Sequence, residues 1–227
     1  MRLSSIAAGF GLASIAQSES TSYTDTETGI TFQSYTSDDV SFRVALPEVT
    51  TGAFDVILQI DAPATIGWVG WAWAGTMTYN PLTLIWPNGD DIVHASRMAF
   101  GYYVPDPYPN ATYTVLKGTG TSGGRVKFTA LCSGCTTWAD FEGNPTTIDA
   151  SQPAPFAFAF SQTPPETPAD PVSAFGIHDL VGHWNHDLPA AKSADFQSWV
   201  AANGGTGSNG TFVVSPKLRA SRGALGL

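Results

Sequence analysis

The sequence predicts an all-β fold, a two-layer β-sandwich with a single short helix near the C-terminal end. Three observations carry this. Short runs with strand patterning recur along the chain, separated by Gly, Pro, Asn and Asp. Only one segment shows helical spacing. Charged residues make up just 13% of the chain, while aromatic, Gly, Pro, Ser and Thr residues are plentiful, a balance suited to a turn-rich secreted β-protein. The 227 residues are enough for one such domain with a sizeable core.

The elements follow in order. Residues 30–35, 40–46 and 54–60 alternate apolar and polar side chains, as half-buried strands do. Residues 65–73 and 82–86 are more continuously apolar, the pattern of strands covered on both faces. Pro87-Asn88-Gly89-Asp90 is a hairpin turn joining 82–86 to 91–96, because Asn-Gly tolerates positive φ. Residues 112–116 and 125–131 form a second hairpin across a Gly/Ser/Thr turn. Phe156, Phe158 and Phe160 share one face of a strand. Residues 161–171 are Pro-rich and acidic and read as an exposed loop. The helix is placed over 191–202, where Phe196, Trp199 and Val200 share a face and Asn203-Gly204 supplies the stop.

Residues 1–16 read as a signal peptide: Met1-Arg2, an apolar run from Ile6 to Ala13, and small residues before Gln17. The run is too short to span a bilayer, and no later segment is long enough either, so a soluble secreted monomer is expected. The sequons at Asn110 and Asn209 agree with a eukaryotic secretory route. The domain is placed at 17–203, with 204–227 a Gly/Ser-rich linker or tail. Without Arg2, nine basic residues face nineteen acidic ones. Such a chain repels nucleic acid and anionic membrane and attracts cationic partners or metal ions.

Cys132 and Cys135 are three apart at the end of a strand-like run. In a secreted chain they are expected to form a local structural disulfide. A redox-active pair would normally open a helix beside a parallel strand. Two cysteines exclude a four-Cys zinc site. No Gly-x-Ser-x-Gly, His-Glu-x-x-His, phosphate loop or dinucleotide fingerprint is present.

Met77 and His178 carry the sharper chemistry. Met77 follows the glycine-spaced aromatic run Ile66–Thr76, and His178 lies about a hundred residues later. A thioether and an imidazole in an apolar domain are able to hold a haem iron from its two sides. Met77 is equally readable as core filler. Gly67, Gly70 and Gly75 permit close approach of a flat ring, and Trp68, Trp71 and Trp73 either wall such a pocket or belong to the core. His183 and His186, close to His178, also admit a copper or zinc site.

Together these residues resemble the cytochrome (haem b) domain of fungal cellobiose dehydrogenase. The resemblance spans most of 20–203. It rests on Trp68-Val69-Gly70-Trp71-Ala72-Trp73-Ala74-Gly75-Thr76-Met77, Trp86-Pro87-Asn88-Gly89 and Arg97-Met98-Ala99-Phe100-Gly101-Tyr102. Cys132-Ser133-Gly134-Cys135-Thr136-Thr137-Trp138, Ser173–His178 and Ala191–Gln197 complete it. The resemblance implies an immunoglobulin-like antiparallel sandwich with Met77 and His178 as axial ligands of a non-covalent haem b. It implies a Cys132–Cys135 disulfide and a propionate contact from Tyr102, with Arg97 assisting. Trp71 and Trp73 are placed with the cofactor-binding residues, although they depart from the family's smaller ones. No Cys-x-x-Cys-His occurs, so covalent haem attachment is not expected.

The implied function is one-electron transfer in extracellular lignocellulose degradation. A flavin or quinone dehydrogenase is the expected donor, and a copper polysaccharide monooxygenase, ferric complexes or quinones are the expected acceptors. Two readings compete: a carbohydrate-binding sandwich using exposed Trp and Tyr, and a copper-binding domain using His183 and His186.

Overall fold

The computed structural model describes residues 19–204. The signal peptide expected at 1–16, the sequon at Asn209 and the tail beyond Gly204 lie outside the described residues. The strands, in chain order, are β1 (Thr21–Thr24), β2 (Thr31–Ser37), β3 (Val40–Pro47), β4 (Val56–Pro63), β5 (Trp68–Ala72) and β6 (Pro81–Asn88). They continue with β7 (Asp91–Met98), β8 (Asp106–Pro107), β9 (Thr112–Val115), β10 (Gly120–Ser122) and β11 (Arg125–Ser133). The last are β12 (Thr137–Ala139), β13 (Pro145–Thr147), β14 (Ala154–Ser161), β15 (Leu180–His186) and β16 (Lys192–Ser193), followed by α1 (Phe196–Ala202).

Two antiparallel sheets face each other. The first runs β1-β2-β3-β4-β11-β10, with β9 also on β11 and β16 lying parallel on β3. The second runs β15-β14-β5-β6-β7-β8, and β12-β13 is a separate small hairpin. Alternation along the strands builds the core. Val40, Phe42 and Val44 of β3, Leu58 and Ile60 of β4 and Phe128 of β11 meet Trp71, Ile85, Phe156, Phe158 and Trp184 of the second sheet. All three phenylalanines of β14 lie in this core, as their spacing predicts. On the far side of the first sheet, Phe196 and Val200 of α1 cover Phe32, Ala45, Ile57 and Leu131.

Turns follow the local chemistry. Asp38 and Asp39 take φ of 47° and 64° between Ser37 and Val40, the left-handed pair that a two-residue hairpin needs. At the next hairpin, Asn88 pairs with Asp91, so the turn centre is Gly89-Asp90, and only Gly89 takes a positive φ, 65°. The expected hairpin of 112–116 with 125–131 forms, with β10 inserted between them on the same strand.

The helix is shorter than its spacing predicts. Pro189–Ala191 forms a 3-10 turn, and Lys192 and Ser193 pair instead with Leu46 and Pro47. The Asp195 amide donates to the Ser193 hydroxyl at 3.1 Å before the helix begins at Phe196. Tertiary pairing thus takes the first residues of the helical pattern. Cys132 and Cys135 form a disulfide with both residues fully buried. No helix among the described residues is long and apolar enough to cross a membrane.

His186 shows how burial couples this fold to pH. Its ring is fully buried; Nδ1 accepts the Trp184 Nε1–H at 2.9 Å, and Nε2 has no partner of good geometry. Desolvation lowers its pKa to about 3. Burial lowers His94, stacked on Phe128, as well. Between pH 6.5 and about 3 the unfolded chain takes up a proton at His186 and the folded chain does not. Stability therefore falls as pH falls through that window, by about 1.4 kcal/mol per unit from this group. Urea unfolding at pH 7 and pH 5 is expected to show His186→Asn with a flatter dependence than the parent. Equal slopes would remove His186 from this account.

Candidate functional site

Strand alternation gives the second sheet an outward face distinct from the core. Trp68, Gly70 and Ala72 of β5 point outward while Val69 and Trp71 point inward. Register adds Leu82, Leu84 and Trp86 from β6, Val93, Ala95 and Arg97 from β7, and Ala157 and Ala159 from β14. The centre of this face is floored by Gly70, Ala72, Ala95, Ala157 and Ala159. A floor of such small side chains lets a flat group lie close to the backbone. A Cβ added at Gly70 would meet the Trp68 ring at 3.4 Å and Leu84 at 3.8 Å, so it would fill part of that floor. The Trp68 indole N–H is buried without a partner. The face is apolar and mostly covered, which accounts for the continuous apolar runs of β5 and β6.

Met77 stands at one rim, on the connection from β5 to β6, half-buried against this face. Its loop is tied by Asn80, which is buried. The Asn80 amide nitrogen donates to the carbonyls of Thr76 (2.7 Å) and Thr78 (2.9 Å), and its oxygen accepts the Ala74 amide (3.3 Å). Tyr79 takes φ of 60°, donates its amide to the Ala99 carbonyl at 2.9 Å, and donates its hydroxyl to the Phe100 carbonyl at 3.2 Å. A non-glycine residue in that conformation is held by its surroundings.

His178 stands at the opposite rim, at the end of the connection 162–179 between β14 and β15. This connection is a strap over the face. Trp86 Nε1 donates to the Pro168 carbonyl at 2.7 Å, and Phe175 packs on Trp68 with ring centroids 4.8 Å apart. The strap returns to the sheet at Asp179, whose amide donates to the Phe160 carbonyl. The Gln162 amide (2.7 Å) and the Ser161 hydroxyl (2.8 Å) donate to the Asp179 carboxylate and, with His178 nearby, hold it below its ordinary pKa. The backbone around His178 is thereby fixed while its ring remains half-exposed. Residues 161–171 are mostly exposed, as expected of a loop, but the Pro168 carbonyl is fastened to the sheet.

The remaining predicted residues divide. Tyr102 is 91% exposed on the loop after β7, beside exposed Phe100 and Tyr103. Arg97 is buried on the face; its Nη1 and Nη2 donate to main-chain carbonyls, and its Nε is buried without a partner. Trp71 and Trp73 are a correction. They stack on each other at 4.7 Å inside the sandwich, 0% and 1% exposed, and Trp73 donates to the Thr83 hydroxyl. Their odd position in the alternation sends them inward, and Trp68 and Trp86 take their place on the outer face. Asn110 is exposed ahead of β9.

The competing readings lose their geometry. His183 pairs with Ala157 and faces outward, whereas His186 pairs with Ala154 and is buried inside. An odd spacing on a strand puts the two on opposite faces, so they do not share one metal ion. Six of the seven tryptophans are buried and the seventh, Trp199, is half-buried against α1's cluster. The exposed rings Tyr79, Phe100 and Phe141 meet at interplanar angles of 70° and 64° instead of forming a flat platform for sugars.

The sandwich thus carries a Met loop and a His loop at opposite rims of one small-residue face. Among known families, the one described as the cytochrome domain of cellobiose dehydrogenase matches residues 23–198, and the chain belongs to that family. The pyrroloquinoline quinone-dependent pyranose dehydrogenase of Coprinopsis cinerea is 32% identical over 200 residues. That match covers 85% of this chain but 27% of the dehydrogenase, so the chain spans about a quarter of the relative's length. The crystal structure of the cytochrome b domain of pyranose dehydrogenase from C. cinerea superposes with a TM-score of 0.72 at 29% identity, covering 81% of this chain and 95% of that one. The cytochrome domain of Myriococcum thermophilum cellobiose dehydrogenase superposes with a TM-score of 0.73 over 84% and 99% of the two chains, at 24% identity, a likeness of fold alone.

Proposed function

We propose that this chain is a secreted b-type cytochrome that transfers single electrons, with Met77 and His178 as the two axial ligands of a non-covalent haem b. The observation that supports this reading is that Met77 packs against the apolar, small-residue face at one rim while the chain carries His178 at the opposite rim. The donor set fits the group: a soft thioether and an imidazole, a Gly/Ala floor and a buried indole N–H with no other partner. Haem b held there by Met77 and His178 would supply a ferric/ferrous couple for one-electron transfer.

The chain's own residues do the rest. Asn80 fixes the Met77 loop from beneath, and the Asp179 hydrogen bonds fix the backbone at His178, so neither ligand has far to move between oxidation states. Leu82, Leu84, Trp68 and Trp86 exclude water from the face, which disfavours the extra positive charge of the ferric form. Met77 acts in the same direction, because a thioether favours ferrous iron. Arg97 is the sole Lys or Arg between residues 66 and 116, and none lies between 136 and 191. Histidines apart, the charged groups on the loops around the face are therefore acidic, and a cationic partner surface is steered towards them in a salt-dependent way. The proposed donor is a flavin- or quinone-dependent dehydrogenase; the C. cinerea relative is itself a pyrroloquinoline quinone-dependent pyranose dehydrogenase. Copper polysaccharide monooxygenases, ferric complexes and quinones are the proposed acceptors.

Met77→His tests the ligand assignment. It is expected to keep a six-coordinate spectrum and to lower the midpoint potential in spectroelectrochemical titration, because a second imidazole replaces the thioether. A potential and spectrum identical to the parent's would show that Met77 does not touch the iron.

A further inference from the structure

Arg97 is a buried cation with no carboxylate at ion-pair distance among the described residues; Asp170 and Asp106 act on it only from farther away. It projects from β7 onto the outer face at 2% exposure and makes no ion pair, unlike Arg43, Arg125 and Lys127. Burying an unpaired charge is costly unless hydrogen bonds compensate. Here main-chain carbonyls accept from the two Nη groups, while Nε is buried without a partner. Nη1 donates to the Pro105 carbonyl at 2.8 Å, and Nη2 donates to the carbonyls of Pro171 (2.7 Å) and Ser173 (3.1 Å). Pro105 ends the loop that carries Tyr102, and Pro171 and Ser173 belong to the strap that ends at His178. All three carbonyls lie in irregular backbone and have no ladder partner, so a charged donor is a strong tie for them. Ser173 is itself a node of the strap: its hydroxyl accepts the Thr167 amide at 2.8 Å, and its amide donates to the Asp170 carbonyl. Phe175 follows, with the guanidinium carbon 6.0 Å from its ring centroid, and His178 is three residues further on.

We propose that Arg97 is a positioning residue: its guanidinium staples the strap 162–179 and the loop 99–105 to β7 and so sets where His178 stands over the face. This deepens the Met77/His178 reading and rests on it. A forked, planar cation reaches both segments at once, and a lysine ammonium, a point charge, does not reproduce the fork. Arg97 thus acts through His178. The role implied by the family resemblance, assistance at a haem propionate, predicts a different outcome.

The test is amide hydrogen exchange on the full chain, without and with added haem b, for Arg97→Lys and Arg97→Met, with the absorption spectrum of each. The staple predicts exchange in 166–178 faster by at least about tenfold in both variants before haem is added, with β3 and β4 unchanged. With haem it predicts a ferrous fraction that binds carbon monoxide, because His178 no longer stays in place. Trp86→Phe, which deletes the Pro168 tie, is expected to show a smaller version of the same change. Haem affinity that falls while strap exchange stays as in the parent would overturn the proposal in favour of direct contact with the cofactor. Loss of protection in β3 and β4 as well, in Arg97→Lys, would also overturn it, since Arg97 would then hold the whole fold. A parent chain that binds no haem would defeat the cytochrome reading, and the exchange data would still decide the staple.

Discussion

His178→Ala is expected to weaken haem b binding by more than about a hundredfold. Losing a partner that merely orients a metal ligand costs 10- to 100-fold, and loss of the ligand itself exceeds that. The structure adds a reason for a large effect. The backbone at His178 is fixed by the Asp179 bonds to Phe160, Gln162 and Ser161, so a neighbouring side chain cannot slide into its place. His183 faces the same side but is five residues along β15, and His186 is inside the core. Haem titration followed by absorbance measures the loss. Imidazole added to the variant is expected to restore a six-coordinate spectrum, which separates a missing ligand from a damaged fold. Retention equal to the parent's would place the ligand elsewhere.

Trp71→Ala is expected to destabilise the fold by about 3–5 kcal/mol, the cost of emptying a large aromatic site in a packed core. Trp71 contacts Trp73, Phe42, Phe156 and Trp184 within 5.8 Å between ring centroids. It belongs to the interior and not to the cofactor face, so the fraction that folds is expected to take up haem with an unchanged spectrum. Trp68→Ala, on the opposite side of the same strand, is expected to do the reverse, costing less stability and shifting the spectrum. Urea unfolding and absorbance together decide. A Trp71→Ala protein of parental stability with an altered spectrum would return Trp71 to the pocket.

The pair of tryptophans shows where sequence reading reaches its limit. The strand pattern over 65–73 announces a segment covered on both faces, and the structure has one. Which face looks at the core depends on register, and a shift by one residue exchanges Trp68 with Trp71. Nothing within the segment sets that register; it comes from pairing with Leu82–Ile85 and Ala157–Ser161. The helix start failed for a related reason, because Lys192 and Ser193 have a partner in β3 that lies far away in sequence. Met77 and His178 stand out in the sequence because Met and His are few in this chain and sit in specific surroundings; their proposed ligation is what the spectra test. Asn80 and the strap do not stand out. Asn80 acts through hydrogen bonds to its own loop, and an isolated Asn is indistinguishable from a turn residue until Ala74, Thr76 and Thr78 are seen around it. Arg97 was visible as a residue, but two of its three carbonyl partners, Pro171 and Ser173, lie more than seventy residues away in sequence.

The measurement that tests the central claim most directly is the absorption spectrum of the full chain with haem b, ferric and after dithionite, with and without carbon monoxide. Ligation by both Met77 and His178 predicts a sharp Soret band, narrow α and β bands on reduction, and no response to carbon monoxide. A ferrous spectrum that shifts with carbon monoxide, or no Soret band when haem is supplied, would contradict six-coordinate binding by Met77 and His178.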